Sequence, residues 1–407
     1  MAYRQGEPSA TGLVPTQATR HTGQEEPKSD AAPLLKGSPD IPMLLITTIL
    51  LLFGCVMVYS ASAVYAEQYH DDSTYFIVRH LMFLLMAVAA TVVVVRFVTP
   101  KFWEDFTVAL YVIAIVMLIL VLLIGDDLGS GAKRWLNFRI FTVQPSEIAK
   151  LALVMILAKF MTRHQAIIRS NDRFGNLLYG VVYPALYIGA IAILIAAERH
   201  ISGLMIIGMI GISVMFMGGT KLRWIVLICG VVICAGCLLI LVSDYAQARV
   251  DTWINIDDAD PLGSAWQTLQ GLIAIGSGGL FGVGLGNSRQ KFGYVSQPQN
   301  DFIFTIICEE LGFFGAFLVI ALFVMFVWRG FYIARHAPNP FCSLVVYGLT
   351  FKVGIQVILN IAVVTNSMPN TGISLPFFSY GGTSLVLQVI EVGIILAISR
   401  YSSNKKI

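Results

Sequence analysis

The chain has 407 residues, 57% hydrophobic and 13% charged, with a net charge of +3 and a mean hydropathy of +0.76. A soluble domain carries about 25% charged residues, so a water-soluble globular protein is excluded. The modest net charge and the absence of a basic block beyond a short tail argue against a nucleic-acid binder.

Residues 1–40 are rich in Pro, Ser, Thr, Gly, Gln and Glu and read as a disordered tail. No signal peptide is expected, because the first apolar run begins only at Ile41 and no cleavage-type site follows it. Ten spans follow, at about 41–63, 76–98, 107–125, 146–161, 175–197, 201–218, 222–242, 301–328, 341–365 and 383–399. The fold class is therefore all-α, a polytopic membrane protein with about ten transmembrane helices. Residues 41–401 form the membrane domain, 243–300 a large outer loop between the seventh and eighth spans, and 402–407 a short C-terminal tail. The six cysteines fall mostly inside apolar runs and lack the paired spacing of a zinc site.

Lys and Arg set the orientation. One set of loops holds Arg96, Lys101, Arg163, Arg169, Arg173, Lys221, Arg223, Arg329, Arg335 and Arg400, while the loop after the first span holds Glu67, Asp71 and Asp72. Both termini are thus expected in the cytoplasm. The outer loop 126–143 breaks the bias with Lys133, Arg134 and Arg139. A bound anion explains such charge, and so does a salt-bridged loop.

The sharpest chemistry lies at the eighth span. Asp301 stands at its outer mouth, and Glu309 and Glu310 follow two turns on, ~12–14 Å deeper at 1.5 Å per residue. Asp301 reads as a helix N-cap, and equally as an ionised general base facing water. Glu147 and Lys150 share a face of the fourth span, either as an intrahelical pair or with Lys150 helping Lys133 and Arg134 hold an anionic head group. Lys352 and Glu391 are deeper intramembrane charges for which pairing near Glu309 and Glu310 is plausible. His200 has no second His at metal spacing. The glycines of 276–286 lack the Lys-Ser/Thr ending of a phosphate loop and read as sites of close backbone packing, in a segment that lies on the outer surface or re-enters it. Pro369, Gly372, Pro376, Gly381 and Gly382 break the chain before the tenth span, which predicts a re-entrant loop lining an outward cavity.

Six motifs in this order carry a resemblance: Gly131-Ala-Lys-Arg-Trp135, Gln144-Pro-Ser-Glu-Ile-Ala-Lys150, Gly276-Ser-Gly-Gly-Leu-Phe-Gly282, Asp301-Phe-Ile-Phe304, Glu309-Glu-Leu-Gly312 and Leu375-Pro-Phe-Phe-Ser-Tyr-Gly-Gly382. Together they resemble the SEDS family, which includes FtsW, RodA and SpoVE, over all ten spans. The resemblance implies a peptidoglycan glycosyltransferase that polymerises lipid II at the outer face of the bacterial cytoplasmic membrane. It places the family's essential acid on Asp301 and marks Lys133, Arg134, Trp135, Glu147, Lys150, Glu309, Glu310, Ser379 and Tyr380 as substrate-binding candidates. Implied partners are lipid II, the undecaprenyl-pyrophosphate-linked glycan, a class B penicillin-binding protein (a transpeptidase) and other divisome proteins. The sequence requires no cofactor and leaves open a divalent cation, Mg or Mn. Two positions depart from the family: Gln299-Asn300 stands where a His-Thr pair is common, and Glu198-Arg-His-Ile-Ser-Gly203 where Gln-Pro-Asp-Leu-Gly is common. The Asn366-Ser-Met-Pro-Asn-Thr-Gly372 stretch and the polar tail favour the division member. A lipid II flippase and a RodA-type elongation polymerase are the competing readings, with a scaffold that only recruits the transpeptidase as a third.

Overall fold

The structure, a computed structural model, describes residues 37–126, 133–138, 142–256 and 265–401, without the side chains of residues 239, 245 and 246. The expectations for residues 1–36, for Gly131, Ala132 and Arg139, for residues 257–264 of the outer loop, and for the 402–407 tail lie outside the described residues.

The helices run α1 (Ile41–His70), α2 (Tyr75–Phe97), α3 (Pro100–Ile124), α4 (Pro145–Arg163), α5 (Gln165–Arg169), α6 (Arg173–Leu177), α7 (Tyr183–Ala197), α8 (Ile201–Gly218), α9 (Leu222–Val242), α10 (Asp244–Ile254), α11 (Trp266–Ser277), α12 (Ile303–Arg335), α13 (Pro340–Val364) and α14 (Gly382–Ser399). A π-turn at Leu178–Val182 joins α6 to α7. It precedes Pro184, which has no N–H to give the Gly180 carbonyl; Thr220 Oγ1 donates to that carbonyl instead, at 2.9 Å. A small hairpin, β1 (Leu136–Asn137) with β2 (Thr142–Val143), folds over one face.

Among the described residues, nine helices are long and apolar enough to cross a membrane. The fourth expected span, α4, is not one of them. It carries Glu147, Lys150, Lys159 and Arg163 within 19 residues. It sits among α3, α7, α8, α13 and α14 and buries 14 of its residues. A helix wrapped in protein has no need of a lipid-soluble surface, so hydropathy overlooks it. Gly37 N donates to Arg400 O at 2.9 Å, and Asp40 N to Ser399 Oγ at 3.0 Å. Segments that meet on one face fit an even number of crossings, and α4 with the nine would make ten.

Two segments re-enter the bundle. After α11 packs on α12, the glycine turn presses into a break in α12 at Gly312 (φ 66°, ψ −163°), backbone angles open almost only to glycine. The carbonyls of Glu309 and Glu310 accept from Val283 N and Gly284 N, and Phe313 N and Phe314 N donate to Gly279 O and Leu280 O. The loop thus replaces the helix ladder where Gly312 interrupts it, and close backbone packing accounts for the glycine cluster. A Cβ on Gly312 would run into the Gly282 and Leu280 backbone. Gly312→Ala is expected to cost about 2 kcal/mol or more, read as a lowered thermal midpoint in detergent.

The second segment, between α13 and α14, descends until Phe377 O meets Gly54, midway along α1. Phe377 and Phe378 pack among Phe53, Phe323 and Phe326. Irregular backbone at this depth has to be satisfied by protein: Phe377 N donates to Gln388 Oε1 at 3.1 Å and Leu375 N to Ser379 Oγ at 2.7 Å.

The deep charges pair differently from the expectation. Lys352 binds Glu391 at 2.6 Å and Glu147 at 3.6 Å, and Glu147 also binds Lys150 at 2.5 Å, so α4, α13 and α14 share a neutral, sealed network of two lysines and two glutamates. Glu309 and Glu310 belong to a separate clasp beside the glycine turn. Glu309 accepts from Ser288 Oγ and Arg289 N, and Glu310 from Ser60 Oγ and Lys291 Nζ. Tertiary packing, which spacing along one helix cannot reveal, chooses these partners.

Candidate active site

Asp301 ends the long loop after α11. It is not the cap of α12: the helix starts at Ile303, its N-cap is Phe302, and no side chain caps its first turn. The Asp301 carbonyl accepts from Asn360 Nδ2 at 2.7 Å, and the same amide donates to Ile373 O at 2.6 Å. One α13 side chain thereby fixes both the start of α12 and the re-entrant loop. Gly372, at φ 66°, lies against the carboxylate; a Cβ there would stand 3.2 Å from Asp301 Oδ2.

Helix α10 closes the other side. Arg249 Nη1 donates to Asn370 O, and Trp253 Nε1 to Asn366 O at 2.9 Å. Burial pushes the Asp301 carboxyl up to about 6, against the pull of the nearby Arg249 guanidinium. The side chain stays partly exposed. A carboxylate that reaches solvent and titrates near neutrality is suited to taking a proton from a hydroxyl. Sequence reasoning missed Arg249, because one arginine in a polar outer loop carries no local signal; its only clue was lying on the same face as Asp301.

Hydrogen bonds lead from Asp301 to the basic loop. Tyr380 N donates to Gln299 O at 2.8 Å, and Thr383 Oγ1 to Thr142 O on β2 at 2.7 Å. The Tyr380 ring meets Phe76 edge-on at 5.0 Å. Ser379, in contrast, is buried with its hydroxyl turned back on its own loop. At the base of the hairpin Asp126 N donates to Trp135 O at 2.8 Å. Beside it Lys133 is exposed, and Trp135 and Arg134 are half-buried. Arg134 Nη2 donates to Arg199 O at 2.8 Å, next to buried Glu198 and His200.

Burial pushes the Glu198 carboxyl up to about 8, with Arg134 opposing, and pushes the His200 imidazole down to about 3, with Arg134 and Lys150 adding to it. Both are neutral at pH 7, so Glu198 does not cancel the Arg134 charge, which stays available to an anion. Lys150, expected to help Arg134, is 2% exposed and bound to Glu147; we assign it to the internal network. Among the described residues no three His, Cys, Asp or Glu side chains converge as a metal cage.

Glu198 gives a pH prediction. Its folded pKa lies above its ordinary 4.5, so the stability linked to its proton is whole below that value, falls as pH rises toward 8 and is lost above. Glu198→Gln is neutral throughout. Its thermal midpoint should fall less than that of the wild type between about pH 5 and pH 9, and equal slopes would contradict the assignment.

The family described as Cell cycle protein, of the FtsW, RodA and SpoVE type, matches residues 42–404. Stage V sporulation protein E of Bacillus subtilis (strain 168) is 41% identical over 370 residues, covering 90% of this chain and 98% of that protein. The probable peptidoglycan glycosyltransferase FtsW of Coxiella burnetii (strain RSA 493 / Nine Mile phase I) is 34% identical over 377 residues, 90% of this chain and 98% of that one. Two solved structures share the fold at 23% identity. A chain of a peptidoglycan synthase complex, described as coordinating polymerization and crosslinking, has a TM-score of 0.72 over 89% of this chain and 98% of that chain. The rod shape determining protein RodA of Thermus thermophilus has 0.65 over 90% and 98%.

Proposed function

Since the chain belongs to the SEDS family of FtsW, RodA and SpoVE, we propose that this peptidoglycan glycosyltransferase polymerises lipid II outside the cytoplasmic membrane with Asp301 as its general base. The observation that carries the reading is a partly exposed aspartate at the mouth of α12, free of any capping duty, whose backbone carbonyl is held by Asn360 and whose carboxylate feels the nearby Arg249 guanidinium. Asp301 takes the proton of the acceptor's GlcNAc 4-hydroxyl. That oxygen bonds to the donor's MurNAc anomeric carbon as the bond to the pyrophosphate oxygen breaks. The undecaprenyl pyrophosphate leaves as a stable anion, with Arg134 and Lys133 offsetting its charge.

The basic loops support cytoplasmic termini. Relatives named FtsW support a role in septal synthesis during division, and the likeness to SpoVE supports a role in sporulation; filaments after depletion from growing cells would favour division. The likeness to a synthase complex that couples polymerization with crosslinking supports a class B penicillin-binding protein as partner. A flippase needs a polar route through the bundle, whereas Lys352 and Glu391 are sealed against each other.

The test is the pH dependence of polymerisation. The rate should fall on an acid limb with its midpoint near 6, where Asp301 takes up its proton. Arg249→Gln removes the cation that lowers this pKa, so the limb should move to higher pH, and Arg249→Lys should hold it. A limb that does not move in Arg249→Gln counts against the assignment.

A further inference from the structure

On the face that carries the Arg-rich loops lies a cavity the reaction does not use. It opens between α6 and the start of α9, has a volume of about 390 Å³, and is lined by Arg173, Phe174, Leu177, Arg223 and Trp224.

Its polar groups are donors. Among the described residues neither Arg173 nor Arg223 has a carboxylate within ion-pair distance. The nearest acid in sequence, Asp172, is occupied in capping α6, accepting from Phe174 N at 3.0 Å and Gly175 N at 2.9 Å. The neighbouring cation Lys221 is committed to Ser170 O at 2.8 Å. The Arg223 guanidinium sits over the Trp224 ring, 5.2 Å from its centroid. Trp224 Nε1 is buried and meets no acceptor among the described residues. Two guanidiniums on one hollow match the oxygens of a phosphodiester.

The rim is apolar. Phe174 is 73% exposed, and Leu222 and Val226 on α9 are 64% and 63% exposed. A Trp and a Phe beside arginines at a span end mark the membrane interface, where basic pockets between helices take lipid head groups. We infer that this cavity holds the phosphate of an anionic phospholipid from the adjoining leaflet. The lipid bridges Arg173 and Arg223 and so pins the foot of α9, a helix that packs sparsely against the rest of the bundle.

The experiment uses the full-length protein, with native mass spectrometry counting retained lipid after incubation with phosphatidylglycerol or with phosphatidylcholine of the same acyl chains. Wild type should retain phosphatidylglycerol selectively. Arg173→Gln/Arg223→Gln should lose that retention by about tenfold or more. Lys101→Gln/Arg335→Gln, which removes the same charge from the same face, should keep it. Trp224→Phe exchanges the indole beside the Arg223 guanidinium for a smaller ring and should bind several-fold more weakly; it serves as the test if the double variant does not give a monodisperse protein. Equal retention of the two lipids overturns the inference. So does undiminished phosphatidylglycerol binding in both the double variant and Trp224→Phe. Displacement of the lipid by millimolar inorganic phosphate would make this a site for free anions and overturn the lipid assignment.

Discussion

Asp301→Asn should lower lipid II polymerisation by about 10² to 10⁴-fold, the range of a lost general base, with little change in stability. The separation of the two effects follows from the geometry. The Asp301 carboxylate caps no helix turn, and the contact that fixes the residue runs from Asn360 to its backbone carbonyl. Asparagine keeps that carbonyl and nearly the same volume beside Gly372. The variant should therefore show a thermal midpoint no lower than that of the wild type and an unchanged association with the proposed transpeptidase partner while its polymer yield collapses. A variant that lost activity and stability together would point to a structural aspartate instead.

The largest stability effect is expected at Lys352. It is fully buried between Glu391 and Glu147, so Lys352→Met leaves two carboxylates facing one remaining cation, Lys150. Breaking a buried pair on one side costs about 3–5 kcal/mol, whereas exchanging both partners for apolar groups is often neutral. Lys352→Met should lower the apparent stability in detergent by that amount, and Lys352→Met/Glu391→Leu should recover most of it. If the double variant were as unstable as the single one, the network would be serving something other than charge balance, such as a proton or substrate path.

Much of the fold was legible because lipid imposes a simple rule on sequence. Runs such as Pro100–Ile124 can only be spans, and the glycines of 276–286 announced close backbone contact. The exceptions have physical causes. The span expected at 146–161 is α4, although its apolar signal is weak because its neighbours rather than lipid surround it. The break at Gly312 hides inside a stretch that reads as one span, because a neighbouring loop satisfies the interrupted ladder. Asp301 looked like a cap, yet the chain makes one more turn through Phe302 before the helix begins. The i,i+3 spacing exposed the Glu147–Lys150 pair, but the partners of Lys352, Glu309 and Glu310 come from elements 19 to 250 positions away in sequence. Arg249 entered the site only when α10 was seen folded onto the 366–370 loop.

The most direct measurement gives the purified protein, with its proposed transpeptidase partner, fluorescent lipid II in liposomes and follows glycan length and head-group sidedness together. The account predicts long glycan strands from wild type and none from Asp301→Asn. Head groups that cross the bilayer without any polymer, or equal polymer from both proteins, would contradict it.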